Sequence, residues 1–535
     1  MLNKFTIKNF KPFGEEQVAE LAPITLIYGP NSSGKSSFIQ ALMVLRQTLH
    51  EQRPNGSSDL ITKGGSVDVG NFLSVLHGHD ETREIEFGLS ISPKVMQRSS
   101  MRFPVDMDSD IDVGITISSQ RQQSGVYSPL LTSVNFGIPH RSGKVSYCFN
   151  RETTALFSQL CLDEDEFPVD CNRAERYVLT TDTDRKALSA FLSNYISDGS
   201  SKVGWRPFPR IDISPDQVSR ALHRAVASRR TNGPNGNDYL PCNVEISSVA
   251  SGADPEKAIS YAFSEVNRFA YLALRRTLLG LGYLGPLRSH PARHYLLEGN
   301  TGFSVGSTGE FTVPILFEDQ ASSQGSSGVY PSPRGPLISA VNEWFAQFEI
   351  PYELNVDNIG SPITGDFIVL TLKDLRTGVL VGPADVGFGI GQLMPILVEG
   401  ILDGPMPNSW KVLCVEQPEI HLHPRLQAHL ADFFISTAKL NRTENPKGRS
   451  SEVRRRGNGS QWIIETHSEA LILRLQRRIR EKTIKSDDIS VLYVEPCGDI
   501  GAKVTRLRMD ENGEFIDEWP SGFFEESFRE MMEGR

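Results

Sequence analysis

Ile24-Thr25-Leu26-Ile27-Tyr28 runs straight into Gly29-Pro30-Asn31-Ser32-Ser33-Gly34-Lys35-Ser36, and apolar residues then recur at helical spacing from Phe38 to Leu49. A buried strand, the full G-x-x-x-x-G-K-[ST] pattern and a helix, in that order, are what a phosphate-binding loop requires. The glycines let the backbone curl so that its N–H groups converge on phosphate oxygens, and the helix start adds partial positive charge. The pattern places Lys35 on the β- and γ-phosphates of a nucleotide and Ser36 on Mg²⁺. Such a loop needs an acid at the end of a second strand. Val412-Leu413-Cys414-Val415-Glu416 supplies one, so Glu416 is the expected Mg²⁺ partner. ATP and Mg²⁺ are the cofactors this reading implies.

Working outward, the chain has 535 residues and a net charge of 55 − 65 = −10, with 39% hydrophobic and 22% charged residues. That composition excludes wholesale disorder. No apolar run approaches the ~20 residues of a membrane span, and MLNKFTIKNF lacks a signal peptide's apolar stretch. A cytoplasmic protein with no membrane partner is expected. Six scattered cysteines without a C-x-x-C pair argue against a zinc ribbon or a disulfide framework.

Residues 1–90 read as the first part of an ATPase head. Residues 91–135 are rich in Ser, Gln and Asp with little periodicity and read as a disordered-like insertion loop. Helices are expected over 211–230, where Asp212 would cap, and over 254–281, so 91–280 reads as an α-rich insertion domain. From 281 to 495, strands alternate with helices, which implies a mainly parallel sheet covered on both faces. Residues 496–535 read as a small C-terminal domain.

The motifs VEQPEIHLHP (415–424) and IIETHSE (463–469), with the phosphate loop and KNFKPFG (8–14), resemble the ABC-type ATPase heads of the SMC, RecF and OLD group. More narrowly, YLGPLR (283–288) and WPSGFF (519–524) are similar to bacterial AAA-like ATPases ending in a small domain of unknown function. The resemblance covers roughly 1–90 and 280–535. It implies an ABC-type P-loop head: α/β, mainly parallel, with an antiparallel β lobe. It makes Gly29, Asn31, Ser32, Ser33, Gly34, Lys35, Ser36 and Ser37 the Walker A loop and Glu416 the Walker B acid. Gln417 stands where many such heads carry the catalytic Glu, His423 takes the D-loop position, and His467 is the switch histidine at the γ-phosphate. Glu419 is the nearest carboxylate to stand in as base. The signature that meets a partner's nucleotide falls in Asp385–Gln392, with Gly387 or Gly389 in place of the usual Ser and Gly391 following. His421 and His423 have metal-ligand spacing but no third ligand nearby.

Two basic stretches stand out. One is the 441–460 linker. The other is the helix after His467, where Arg474, Arg477 and Arg478 share a face. Either offers phosphate contacts to nucleic acid, as in a RecF-like repair ATPase. No nuclease signature is present. The resemblance therefore implies an ATP-dependent homodimer or higher homo-oligomer controlling a separate effector, such as an HNH nuclease, in anti-phage defence of Septu, retron or PARIS type. A third option is a non-hydrolysing ATP sensor, which Gln417 favours.

Overall fold

The computed structural model describes residues 1–50, 60–96, 108–140, 143–151, 175–179, 185–197, 202–203, 206–207, 213–229, 243–246, 254–296, 304–323, 336–361, 363, 365–402, 411–438, 440, 459–498 and 501–520. The chain divides into two compact units, 1–18 with 40–279 and 498–501, and 19–39 with 280–497 and 502–535. The expected domains at 1–90, 91–280 and 281–495 therefore interleave: the phosphate loop sorts with the C-terminal half.

In the first unit, antiparallel strands from Leu2–Lys8 to Asn243–Ile246 build most of a nine-stranded sheet. The helix Asp254–Leu279 packs on it, with Tyr147 and Phe263 edge to face at 5.2 Å. Within 91–135, the described residues 108–135 are not a disordered-like loop. They hold strand Ile111–Arg121 and much of strand Tyr127–His140. Ile111, Val113, Ile115 and Ile117 alternate with exposed or half-buried neighbours, and this period of two buries one face. The expected helix over 211–230 is shorter, Pro215–Ala221, and gives way to strand Ala225–Arg229. Its cap is Ser214, in a capping box with Gln217. Asp212 lies outside the described residues. The segment thus carries helices and a large share of a sheet.

The second unit holds a six-stranded sheet. Its strands are β1 (Ile24–Tyr28), β2 (Leu281–Leu284), β5 (Lys411–Glu416), β6 (Ser460–Glu465), β7 (Ile489–Pro496) and β8 (Ala502–Leu507). They lie in the order β2-β5-β6-β1-β7-β8, all parallel except β8. Strands β3 (Tyr352–Asn358) and β4 (Phe367–Asp374) form a small antiparallel sheet with the short strands at 295–296 and 380–381. The unit's helices are the start of α1 (Lys35–His50), through Ile39, and α2 (Thr312–Ser323), α3 (Leu337–Gln347), α4 (Phe388–Ile401), α5 (Pro424–Thr437) and α6 (Glu469–Arg480). β1, β5 and β6 are buried along their whole length, as parallel strands covered on both faces must be. Trp462 of β6 packs edge to face on Phe433 and tilted on Phe434 of α5, at 6.0 and 4.7 Å.

Residues 502–520 are not set apart as a domain. β8 pairs with β7 at the sheet edge, and Trp519 meets Tyr28 of β1 edge to face at 5.4 Å. A buried pair, Lys411 to Glu399 at 3.0 Å, ties β5 to α4, and the other Glu399 oxygen accepts from the Val305 amide at 2.8 Å. Among the described residues no helix is long and apolar enough to cross a membrane.

Candidate phosphate and metal site

The site stands at the carboxyl ends of β1, β5 and β6. The loop after β1 needs unusual backbone: Gly29 and Gly34 take φ of 146° and 109°. A Cβ on Gly29 would sit 2.0 Å from the Val494 carbonyl oxygen, so only glycine fits there. Lys35 is almost fully buried at the first turn of α1, and its Nζ donates to the carbonyls of Gly29 (3.0 Å) and Pro30 (2.8 Å). Burial lowers the Lys35 pKa, while Glu465 and Glu419 counter that by favouring its charge.

Parallel pairing of β5 with β6 sets Glu416 beside Glu465. The Ser36 hydroxyl donates to Glu465 Oε2 at 2.8 Å, and Tyr283 of β2 donates to Glu416 Oε1 at 3.0 Å. Burial, with the Glu465 charge next to it, pushes Glu416 up to about 7, and hydrogen bonds from Tyr283 and Ser36 only partly offset that. Glu465 is likewise raised by burial. Two buried carboxylates crowded beside a serine hydroxyl fit a divalent cation, which supplies the missing positive charge. Ser33 Oγ is buried without a hydrogen-bond partner inside the loop, which fits a phosphate oxygen arriving there. The residues present therefore suit ATP with Mg²⁺. Glu465 is the acid that the sequence reading missed.

Glu419 is fully engaged. Its oxygens accept from the Thr466 hydroxyl (2.8 Å) and the His467 amide (2.7 Å), so it fastens the turn after β5 to the turn after β6. Burial raises the Glu419 pKa, and the hydrogen bonds from His467 and Thr466 only partly offset that. His467 follows directly, and burial together with the nearby Lys35 charge lowers its pKa, favouring neutral imidazole. Gln417 sits in the left-handed region at φ 46°, with its amide donating to the Glu465 carbonyl at 2.7 Å. Arg288, also buried, donates from Nη2 to the Glu416 carbonyl (2.7 Å) and from Nη1 to the Gln417 carbonyl (3.2 Å). Burial lowers its pKa to about 10, against the pull of Glu419 and Glu416.

Other expected residues fall elsewhere. His421 and His423 are exposed, and His423 Nδ1 caps α5 by accepting from the Arg425 amide at 3.3 Å. Among the described residues no group of three or more His, Cys, Asp or Glu is set to hold a metal. Gly387 is the exposed N-cap of α4, with open space where a Cβ would stand. Gly389 and Gly391 are packing glycines instead: their Cβ atoms would meet the His421 carbonyl oxygen at 3.0 Å and Pro291 Cγ at 2.6 Å. The arginine face of α6 is ion-paired, three arginines sharing two acids. Arg474 and Arg478 both bind Asp432 (2.7 and 2.6 Å), and Arg477 and Arg478 bind Glu481 (2.8 and 2.6 Å). Residues 441–458 of the basic linker lie outside the described residues.

Three family models match parts of the chain. The AAA ATPase domain covers 337–472. An AAA domain family whose description names the AbiEii toxin of type IV toxin–antitoxin systems covers 24–140. A family of proteins of unknown function, DUF3696, covers 484–533. The chain thus carries a P-loop ATPase domain of the AAA type. Similar solved structures include an SmcHead bound to the C-winged helix domain of ScpA, at 10% identity over 95% of this chain and 98% of that one (TM-score 0.36). Another is the Pyrococcus furiosus Smc head with an extended coiled coil bound to the C-terminal domain of ScpA, at 10% identity over 95% and 96% (0.37). A third is the Thermotoga maritima SMC head, at 9% identity over 95% and 99% (0.33). No curated relative matches the chain.

Proposed function

We propose that the chain is an ABC-type ATPase whose heads pair on ATP and whose nucleotide state governs a separate effector, such as an HNH nuclease, in bacterial anti-phage defence. The observation that carries the reading is the convergence of Lys35, Ser36, Glu416, Glu465 and the Glu419–His467 link at one end of a parallel sheet. Bound Mg²⁺ would neutralise charge on the phosphates. Ser36 with Glu416 or Glu465 would hold it, Lys35 would turn from its carbonyls onto the phosphate oxygens, and the His467 ring would face the terminal phosphate as a neutral donor. Gln417 orients the attacking water through its amide, and having no basic oxygen it makes turnover slow. The family match over 24–140 supports the defence setting. Light scattering with and without ATP·Mg²⁺ tests the pairing. A chain that binds ATP yet keeps one mass throughout would sink it.

A second reading, a non-hydrolysing sensor, is favoured by the same Gln417 and by the engagement of both Glu419 oxygens. Single-turnover kinetics separate the two. The Asp432 and Glu481 pairings weigh against the RecF-like alternative on the α6 face.

A further inference from the structure

Arg288 lies in the loop 285–293 after β2, and that loop touches two elements that share no strand. At one side its guanidinium spans the carbonyls of Glu416 and Gln417, where the backbone bends into the left-handed region. At the other side it is built against the start of α4. The Gln392 amide reaches the Arg288 carbonyl at 3.5 Å, Pro291 fills the place a Cβ on Gly391 would need, and Arg293 pairs with Asp385 at 3.2 Å. The loop is itself pinned: Gly285 and Ser289 donate backbone bonds of 2.8 Å to Ser307 and Thr308. A buried guanidinium whose two Nη atoms both donate to backbone carbonyls, with Nε left without a partner among the described residues, is a directional brace, because its planar fork fixes both acceptors at once.

We propose that Arg288 is a positioning residue: it holds Gln417 in its left-handed turn, and the 285–293 loop is a strap that links this turn to the glycine-rich start of α4. On the head-pairing reading, a displacement of the turn after β5 then moves the surface a second copy would meet. The consequence for turnover rests on the ATPase reading, whereas the strap itself does not.

Arg288→Lys keeps the charge but puts a compact ammonium on a shorter stem in place of the planar fork that fixes both carbonyls at once. By hydrogen–deuterium exchange on the full chain, amides in 416–423 and 387–393 should exchange about tenfold faster, while those in 29–40 stay unchanged. Calorimetric ATP affinity should hold within about twofold while single-turnover hydrolysis slows about tenfold. Gly391→Ala presses on Pro291 from the α4 side, and it should raise exchange at 416–423, across the strap. It decides the matter if Arg288→Lys fails to fold. Exchange unchanged at 416–423 in both variants, or raised equally at 29–40, would overturn the strap. Hydrolysis of the lysine variant at the wild-type rate would overturn the positioning role. A wild-type protein that binds ATP and never hydrolyses it would instead remove the ATPase reading, with the exchange pattern still deciding the strap.

Discussion

Replacing Glu416 by Gln should stabilise the metal-free protein, and the gain should depend on pH. Glu416 is 4% exposed, faces Glu465 across the β5–β6 register, and is raised from 4.5 to about 7 in the folded chain. A carboxyl with a raised folded pKa binds its proton more tightly folded than unfolded. The native state therefore loses stability as pH climbs from about 4.5 to about 7, and the penalty is complete above that. Its size at pH 8 is about 3 kcal/mol, falling below about 1 kcal/mol at pH 5. Gln keeps an oxygen for the Tyr283 hydroxyl and carries no charge. Calorimetric melting in EDTA should show Glu416→Gln melting roughly 5 °C above wild type at pH 8, with the difference nearly gone at pH 5. Added ATP·Mg²⁺ should reverse the order, since only the wild type keeps both carboxylates. An equal offset at both pH values, or a variant less stable at pH 8, would refute the crowded-carboxylate argument.

Lys35→Ala should fold yet lose most ATP affinity by calorimetry, since Lys35 bonds only to carbonyls of its own loop; wild-type affinity would end the phosphate-loop assignment. Gln417→Glu should speed single-turnover hydrolysis about tenfold or more by supplying a base, and a rate no faster would point to the sensor. Lys411→Met should cost about 3–5 kcal/mol in denaturant unfolding, because it strands the buried Glu399, whereas adding Glu399→Gln should recover most of that.

The phosphate loop and the β5 acid were legible because each is a local pattern: strand, glycine loop and helix, or four apolar residues ending in Glu. Glu465 was not. It ends β6 in the same apolar-then-Glu fashion, but His467 two residues on drew the reading, and only strand pairing sets it beside Glu416. Arg288 stood in a quoted motif without a role, since its partners are carbonyls, which side-chain patterns do not reveal. The α6 arginines misled for a related reason. Counting charges on one helix omits Asp432, which α5 brings to the same face. In 111–121 the apolar alternation is diluted by Asp, Gly and Thr, which reads as irregular until the neighbouring strands are known.

The sheet order has a consequence for biosynthesis. β1 lies between β6 and β7, whose first residues come 432 and 461 positions after Tyr28 (460 − 28 and 489 − 28). At ribosomal speeds of about 5–20 residues per second, the strand that presents the phosphate loop waits roughly 20–90 s for its neighbours. Throughout that interval Ile24–Tyr28 is an apolar segment with both edges unpaired, the kind of stretch chaperones hold and aggregates recruit. Fragments released before residue 460 would lack both flanking strands, so nucleotide capture would mark a finished chain.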